Sequence, residues 1–154
     1  MQWSMKVKDR DENLNRLIEE GEQFDCKIWA TIMESTFNLM KHVMGLPPAL
    51  AGAAGALSNQ YCYIGISKRK MYISIIETFK PEEETASLVI PFSEIKKAKI
   101  KWGVIPKRKV LVLYFCSNEK MKISVMSNAI GSDIKDQQEN ARKFFELISA
   151  INNS

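Results

Sequence analysis

The chain predicts a mainly β domain of the α+β class, with about seven antiparallel strands between a short first helix and a longer last one. Three observations lead there. Apolar and polar residues alternate through most segments between residues 24 and 127, the period of half-buried strands. A helical period shows only near the two ends. No helical stretch separates one strand from the next, which argues against a parallel α/β sheet. With 154 residues, 45% hydrophobic and 26% charged, the chain suits one domain over residues 1–154 with a proper core, neither disordered nor repetitive.

Taken in order, residues 1–10 are a flexible charged start without the apolar core of a signal peptide, so a cytoplasmic protein is expected. Over residues 11–22, Leu14, Leu17 and Ile18 recur at helical spacing among acids, and Gly21 helps to end the helix. Phe24, Cys26, Ile28, Ala30 and Ile32 then alternate with Asp25, Lys27, Trp29 and Thr31, as in a strand with one buried face. A long connection follows over residues 36–59. Its apolar part, "LPPALAGAAGALSN", is too short and too broken by Pro47 and Pro48 to cross a bilayer, which takes roughly 20 apolar residues. It also lacks the lysine that a phosphate loop sets after its second glycine.

Residues 61–67 and 70–78 flank the basic turn "SKRK" and read as a hairpin. "KPEEETA" reads as a polar turn and "SLVIPF" as a strand with Pro91 at its end. In "EIKKAKIKWG", Ala98, Ile100 and Trp102 face one way while Lys97, Lys99 and Lys101 face the other. "VIPKRK" turns the chain, "VLVLYFC" is apolar on both faces, and "EKMKISVMS" sends Met121, Ile123 and Val125 inward. Residues 132–152 form the last helix, with Ser132 or Asp133 as cap. Ala141, Phe144, Phe145, Ile148 and Ile151 make its apolar stripe.

This order, with the hairpin "YIGISKRKMYISI", the following "IPFSEIKKAKI" and the terminal "ARKFFELISAI", resembles the bacterial pleckstrin-homology-like (PH-like) domains of the YokE-like kind over roughly residues 10–152. In that family a basic dipeptide turn joins two strands, and an aromatic and isoleucine pair, here Phe92 and Ile95, leads into the next. The resemblance implies two near-orthogonal sheets forming a partly open barrel, with Phe144, Phe145 and Ile148 of the last helix plugging one end. Lipid-binding relatives grip inositol phosphates with basic residues at the open rim. Here the corresponding loops offer Lys41 and His42 against Glu82, Glu83, Glu84 and Glu119, so the usual site is not cationic.

Catalysis finds no support. The sole histidine, His42, lies in the long connection, no cysteines have Cys-x-x-Cys spacing, and no nucleophile elbow or metal cluster occurs, so no enzyme, cofactor, metal or small-molecule substrate is expected. Cys26, Cys62 and Cys116 read as buried thiols in a reducing compartment. Residues 95–109 hold seven lysines and arginines and no acid on a chain of net charge +4. Such a segment attracts an anionic lipid surface or a nucleic-acid backbone, at about 1 kcal/mol per basic residue near a membrane. Equally, solvated lysines guard a strand against sheet-to-sheet aggregation. Trp102, placed opposite the lysines, argues against nucleic acid because bases would lack a stacking platform.

Two function classes follow. The first is a non-catalytic protein-interaction module that self-associates as a homo-oligomer through Val43, Met44, Leu46, Leu50 and Leu57. The second is a peripheral adaptor at the inner face of the membrane, using the same loop as a wedge and Lys97, Lys99, Lys101, Lys107, Arg108 and Lys109 for anionic headgroups or a partner. The first is favoured, since an apolar loop without adjacent basic residues suits a protein surface better than an anionic bilayer.

Overall fold

The computed structural model of the chain describes residues 7–35, 43–44, 57–77, 80–102, 108–116, 118–126 and 136–151. The elements are α1 (Val7–Asn15), β1 (Cys26–Ser35), β2 (Val43–Met44), β3 (Leu57–Ile66), β4 (Lys70–Glu77), β5 (Lys80–Pro91), a 3-10 turn (Phe92–Glu94), β6 (Ile95–Trp102), β7 (Arg108–Phe115), β8 (Lys120–Met126) and α2 (Gln137–Ile151). All pairings are antiparallel, and the strands form one ladder in the order β2-β5-β4-β3-β1-β8-β7-β6. Seven are full strands and β2 has 2 residues. The expected halves are therefore joined: β1 pairs with β3 along its length and with β8 from Thr31 onward, with a register shift between Ile32 and Glu34. A bulge bends its strand and raises the local twist, so β1 carries the chain from one half of the sheet to the other. Strands β2 and β6 are the two ends of the ladder, and the sheet is open.

One face of the sheet is the main core. Cys26, Ile28, Ala30 and Ile32 point into it from β1, Met121, Ile123 and Val125 from β8, and α2 lays Ala141, Phe144, Phe145 and Ile148 across it. Burying side chains of this size is worth about 1.5–3 kcal/mol each, so α2 is held by its stripe. Its first turn adds polar bonds. The register pairing Thr31 with Ser124 would set Met126 opposite Trp29, but the ladder has already parted there. The buried Gln137 amide fills the seam: Oε1 accepts from Trp29 N–H at 3.0 Å, and Nε2 donates to the carbonyls of Trp29 at 2.9 Å and Met126 at 3.0 Å. One turn later Asn140 Oδ1 accepts the Lys27 N–H at 3.3 Å. A backbone ladder that stops early thus finds its partners on a helix.

The opposite face is covered by α1, where Leu14, Tyr63, Tyr72 and Ile76 form a second cluster with Leu17, Ile18 and Phe24 packed against it. Several expectations change here. The helix runs from Val7 to Asn15, earlier than residues 11–22, and Leu17 and Ile18 follow it in a turn tied by Leu17 N–H to the Leu14 carbonyl at 3.0 Å. Gly21, at φ 88, lies in a later turn. Phe24 precedes β1 and turns away from Cys26: its ring stands on Gly65, where an added Cβ would come within 2.5 Å of it. The buried Arg10 would be costly alone, but Asp136 Oδ1 at 2.8 Å and Asp11 at 3.1 Å accept from its guanidinium. Burial pulls its pKa down, the two carboxylates outweigh that, and the net shift is upward.

Three more corrections concern strands. "KPEEETA" is the start of β5, admitted to the ladder by register shifts at Ile75/Ile76 and Ile76/Glu77. Ile100 is 37% exposed because β6 is an edge strand with, among the described residues, a neighbouring strand on one side alone. Cys116 is exposed, since β7 ends at Phe115 and the chain turns there through Asn118, at φ 70. Cys26 and Cys62 are buried as expected, burial pushing the Cys26 thiol up to about 12 and that of Cys62 upward too.

Candidate functional site

The basic segment divides into two groups. On β6, alternation sets Lys97, Lys99 and Lys101 in solvent on the face opposite the buried Ala98, as the sequence predicts. None of the three forms an ion pair among the described residues. Arg108 and Lys109 on β7 are half-buried instead. Arg108 reaches Met33 Sδ at 3.4 Å, and Lys109 Nζ lies 5.1 Å from the centroid of the Phe145 ring. Both are engaged with the domain itself. Lys107 lies outside the described residues, as does the Trp102 side chain. An aromatic that sequence reasoning missed stands on the lysine face: Tyr114, across the ladder from Lys97, has Lys99 Nζ 5.9 Å from its ring centroid. The cross-strand register puts it there, and "LVLYFC" by itself did not show which of its residues would share a face with the lysines.

Of the apolar candidates, Val43 and Met44 form β2 and pair with Leu88 and Ser87 of β5. Leu57 opens β3 opposite Ser35, earlier than the expected start at residue 61. Leu46 and Leu50, together with Lys41 and His42, lie outside the described residues, as do Ser132 and Asp133 of the expected cap.

A polar network about the "SKRK" turn was not foreseen. Tyr72 donates a very short hydrogen bond to Glu22, and Ser67 Oγ donates to the other Glu22 oxygen at 2.9 Å. Lys70 is in close contact with Glu19 and stands 4.0 Å from Glu22. The Tyr72 hydroxyl is the largest of the influences that hold the Glu22 carboxyl below its ordinary range. Burial, and then the bond to Glu22, push Tyr72 up to about 12. The network fixes the turn between β3 and β4 and neutralises Lys70, while Lys68 and Arg69 of the same turn are exposed and form no ion pair among the described residues. Glu84 is part of β5 rather than a rim loop. Burial raises its pKa, and Arg16 approaches it at 3.9 Å.

Among the described residues no group of three or more histidines, cysteines, aspartates or glutamates could hold a metal ion. No described helix is long and apolar enough to cross a membrane.

No family model and no curated protein sequence matches the chain. Solved structures do. The Vps36 N-terminal PH domain superimposes with a TM-score of 0.51 at 15% identity, covering 89% of this chain and 84% of that one. The C-terminal domain of an unknown protein from Leishmania infantum gives 0.51 at 13% identity, over 92% and 93%. The hSac2 domain from human phosphoinositide phosphatase Sac2 gives 0.51 at 9% identity, over 93% and 78%. At these identities the likeness speaks for the fold, and the fold is PH-like: an open antiparallel sheet with a helix at each end of the chain.

Proposed function

We propose that this chain is a non-catalytic protein-interaction module, that one of its partners is a second copy of itself, and that residues 43–57 are where the copies meet. The supporting observation is the placement of β2. It sets the start of the apolar segment on the outer edge of β5, a strand paired on that side only at Ser87 and Leu88 among the described residues. An apolar stretch beside a sheet edge promotes association unless something covers it, and a second copy supplies both a cover and a strand to pair with that edge. Light scattering over a range of concentrations tests this. A mass that is a multiple of 17.6 kDa supports self-association, and a single-chain mass at every concentration refutes it.

A second reading is favoured by the exposed Lys97, Lys99 and Lys101. It makes the domain a cytoplasmic adaptor that visits anionic membrane surfaces, each lysine adding about 1 kcal/mol near the headgroups. Arg108 and Lys109 contribute less in this reading, being half-buried against Met33 and Phe145. Co-sedimentation with phosphatidylserine vesicles that disappears in Lys97→Gln/Lys99→Gln/Lys101→Gln supports it, and no co-sedimentation at low salt rules it out.

A further inference from the structure

A cleft of about 950 Å³ opens where the turn between β3 and β4, the 3-10 turn and the C-terminal end of α2 converge. Its floor is apolar, made by the partly buried Phe92, Leu147 and Ile151, which pack against the main core. Its rim is cationic: Lys68, Arg69 and Lys96 are all exposed, and none has an ion-pair partner among the described residues. One acid, Asp25, also lines it. The backbone beneath these cations is fixed. Phe92 N–H donates to the Arg69 carbonyl at 2.9 Å, binding the turn to the floor, and the Glu22 network holds its other side. Lys96 occupies the residue skipped in the β6–β7 register between Ile95 and Lys97. Bulges of this sort re-aim side chains beside sites.

We propose that this cleft docks an acidic peptide segment of a partner protein that carries a bulky apolar side chain. The apolar side chain rests on Phe92, Leu147 and Ile151, and flanking carboxylates meet Lys68, Arg69 and Lys96. Arg69 is suited to bidentate carboxylate recognition. With Lys70 of the lining held by Glu19 and Glu22, three cations stand against a single aspartate and set the sign of the ligand's charge, and the volume has room for a short peptide segment. A flat bilayer surface would meet the rim lysines without reaching the floor, which favours a peptide over a membrane. Its described lining shares no residue with Val43, Met44 and Leu57 or with the Lys97, Lys99, Lys101 face, and its test stands or falls separately from self-association.

Display of short random peptides on the intact chain tests the proposal, followed by fluorescence anisotropy on the selected sequences. Peptides combining aspartate or glutamate with phenylalanine, tryptophan or leucine are expected, with affinity that falls as salt rises. Lys68→Gln/Arg69→Gln/Lys96→Gln should bind at least about tenfold more weakly, because it removes charge-assisted contacts while altering only exposed side chains. Leu147→Gln should weaken binding through the floor, and Lys97→Gln/Lys99→Gln/Lys101→Gln should leave it unchanged. Far-ultraviolet circular dichroism establishes that each variant is folded. The proposal is overturned if no acidic and apolar consensus emerges, if the selected peptides bind the triple variant at Lys68, Arg69 and Lys96 as tightly as the parent, or if those three residues are needed only for binding to phosphatidylserine vesicles.

Discussion

Replacing Gln137 by methionine keeps the length and approximate volume of the side chain and removes only its amide. In the folded protein that amide makes three hydrogen bonds, at 3.0 Å with Trp29 N–H, at 2.9 Å with the Trp29 carbonyl and at 3.0 Å with the Met126 carbonyl. Gln137 is 1% exposed, so water replaces few of these bonds. At about 1 kcal/mol net for each bond the loss is about 3 kcal/mol, and somewhat more if the stranded backbone groups stay dry. For a domain of this size that lowers the melting temperature by about 6–12 °C. Urea unfolding gives the stability, and amide hydrogen exchange at Trp29 gives the location, since the Trp29 N–H should lose protection before its neighbours on β1. A stability loss below about 1 kcal/mol, with Trp29 exchange unchanged, would refute the reasoning that α2 completes the seam between β1 and β8.

Three further outcomes are expected. Lys97→Gln/Lys99→Gln/Lys101→Gln should shift stability by no more than about 0.5 kcal/mol, because all three side chains are solvated; a large drop in melting temperature would mean that the faces of β6 are reversed. The Glu22 carboxyl is depressed in the folded state, so its contribution is present above the unfolded pKa and is lost as pH falls through the folded one. Tyr72→Phe should therefore move the Glu22 titration, followed by carbon NMR, upward toward the ordinary glutamate value, and an unmoved titration would contradict the network. Iodoacetamide at neutral pH should alkylate Cys116 alone in the folded chain and all three cysteines after denaturation, as intact mass reports; fast labelling of Cys26 would contradict its burial.

Much of the sheet was legible because a strand's period is local. Cys26, Ile28, Ala30 and Ile32 declare the inner face of β1 without reference to any other segment, and Phe144, Phe145 and Ile148 do the same for α2. What was not legible depends on distant residues. Phe24 continues the alternating pattern in sequence, yet it turns to the opposite face of the sheet and joins the second cluster, because Gly65 leaves room for its ring. Arg10 looks like a solvated charge until Asp136, 126 residues away, accepts from it. Ile100 reads as a core residue, but its strand lies at an edge, a matter of topology rather than of pattern. The lysine face was visible because it needs only alternation. Arg108 and Lys109 were not separated from it, since Met33 and Phe145 belong to other elements. The cleft was hidden for the same reason: its rim and floor come from the β3–β4 turn, the 3-10 turn with the start of β6, and the end of α2.

The most direct test of the central claim compares the solution mass of the intact chain with that of a chain whose residues 43–57 are replaced by a short Gly/Asn turn. Loop length costs little closure entropy, and the described residues of the main core all lie in other segments, so the shortened chain should remain folded and unfold in a single transition. Light scattering should give a multiple of 17.6 kDa for the intact chain and the mass of one shortened chain for the variant. A single-chain mass for the intact protein, an oligomer that persists without the segment, or an unfolded variant would each contradict the assignment of residues 43–57 as the surface through which copies associate.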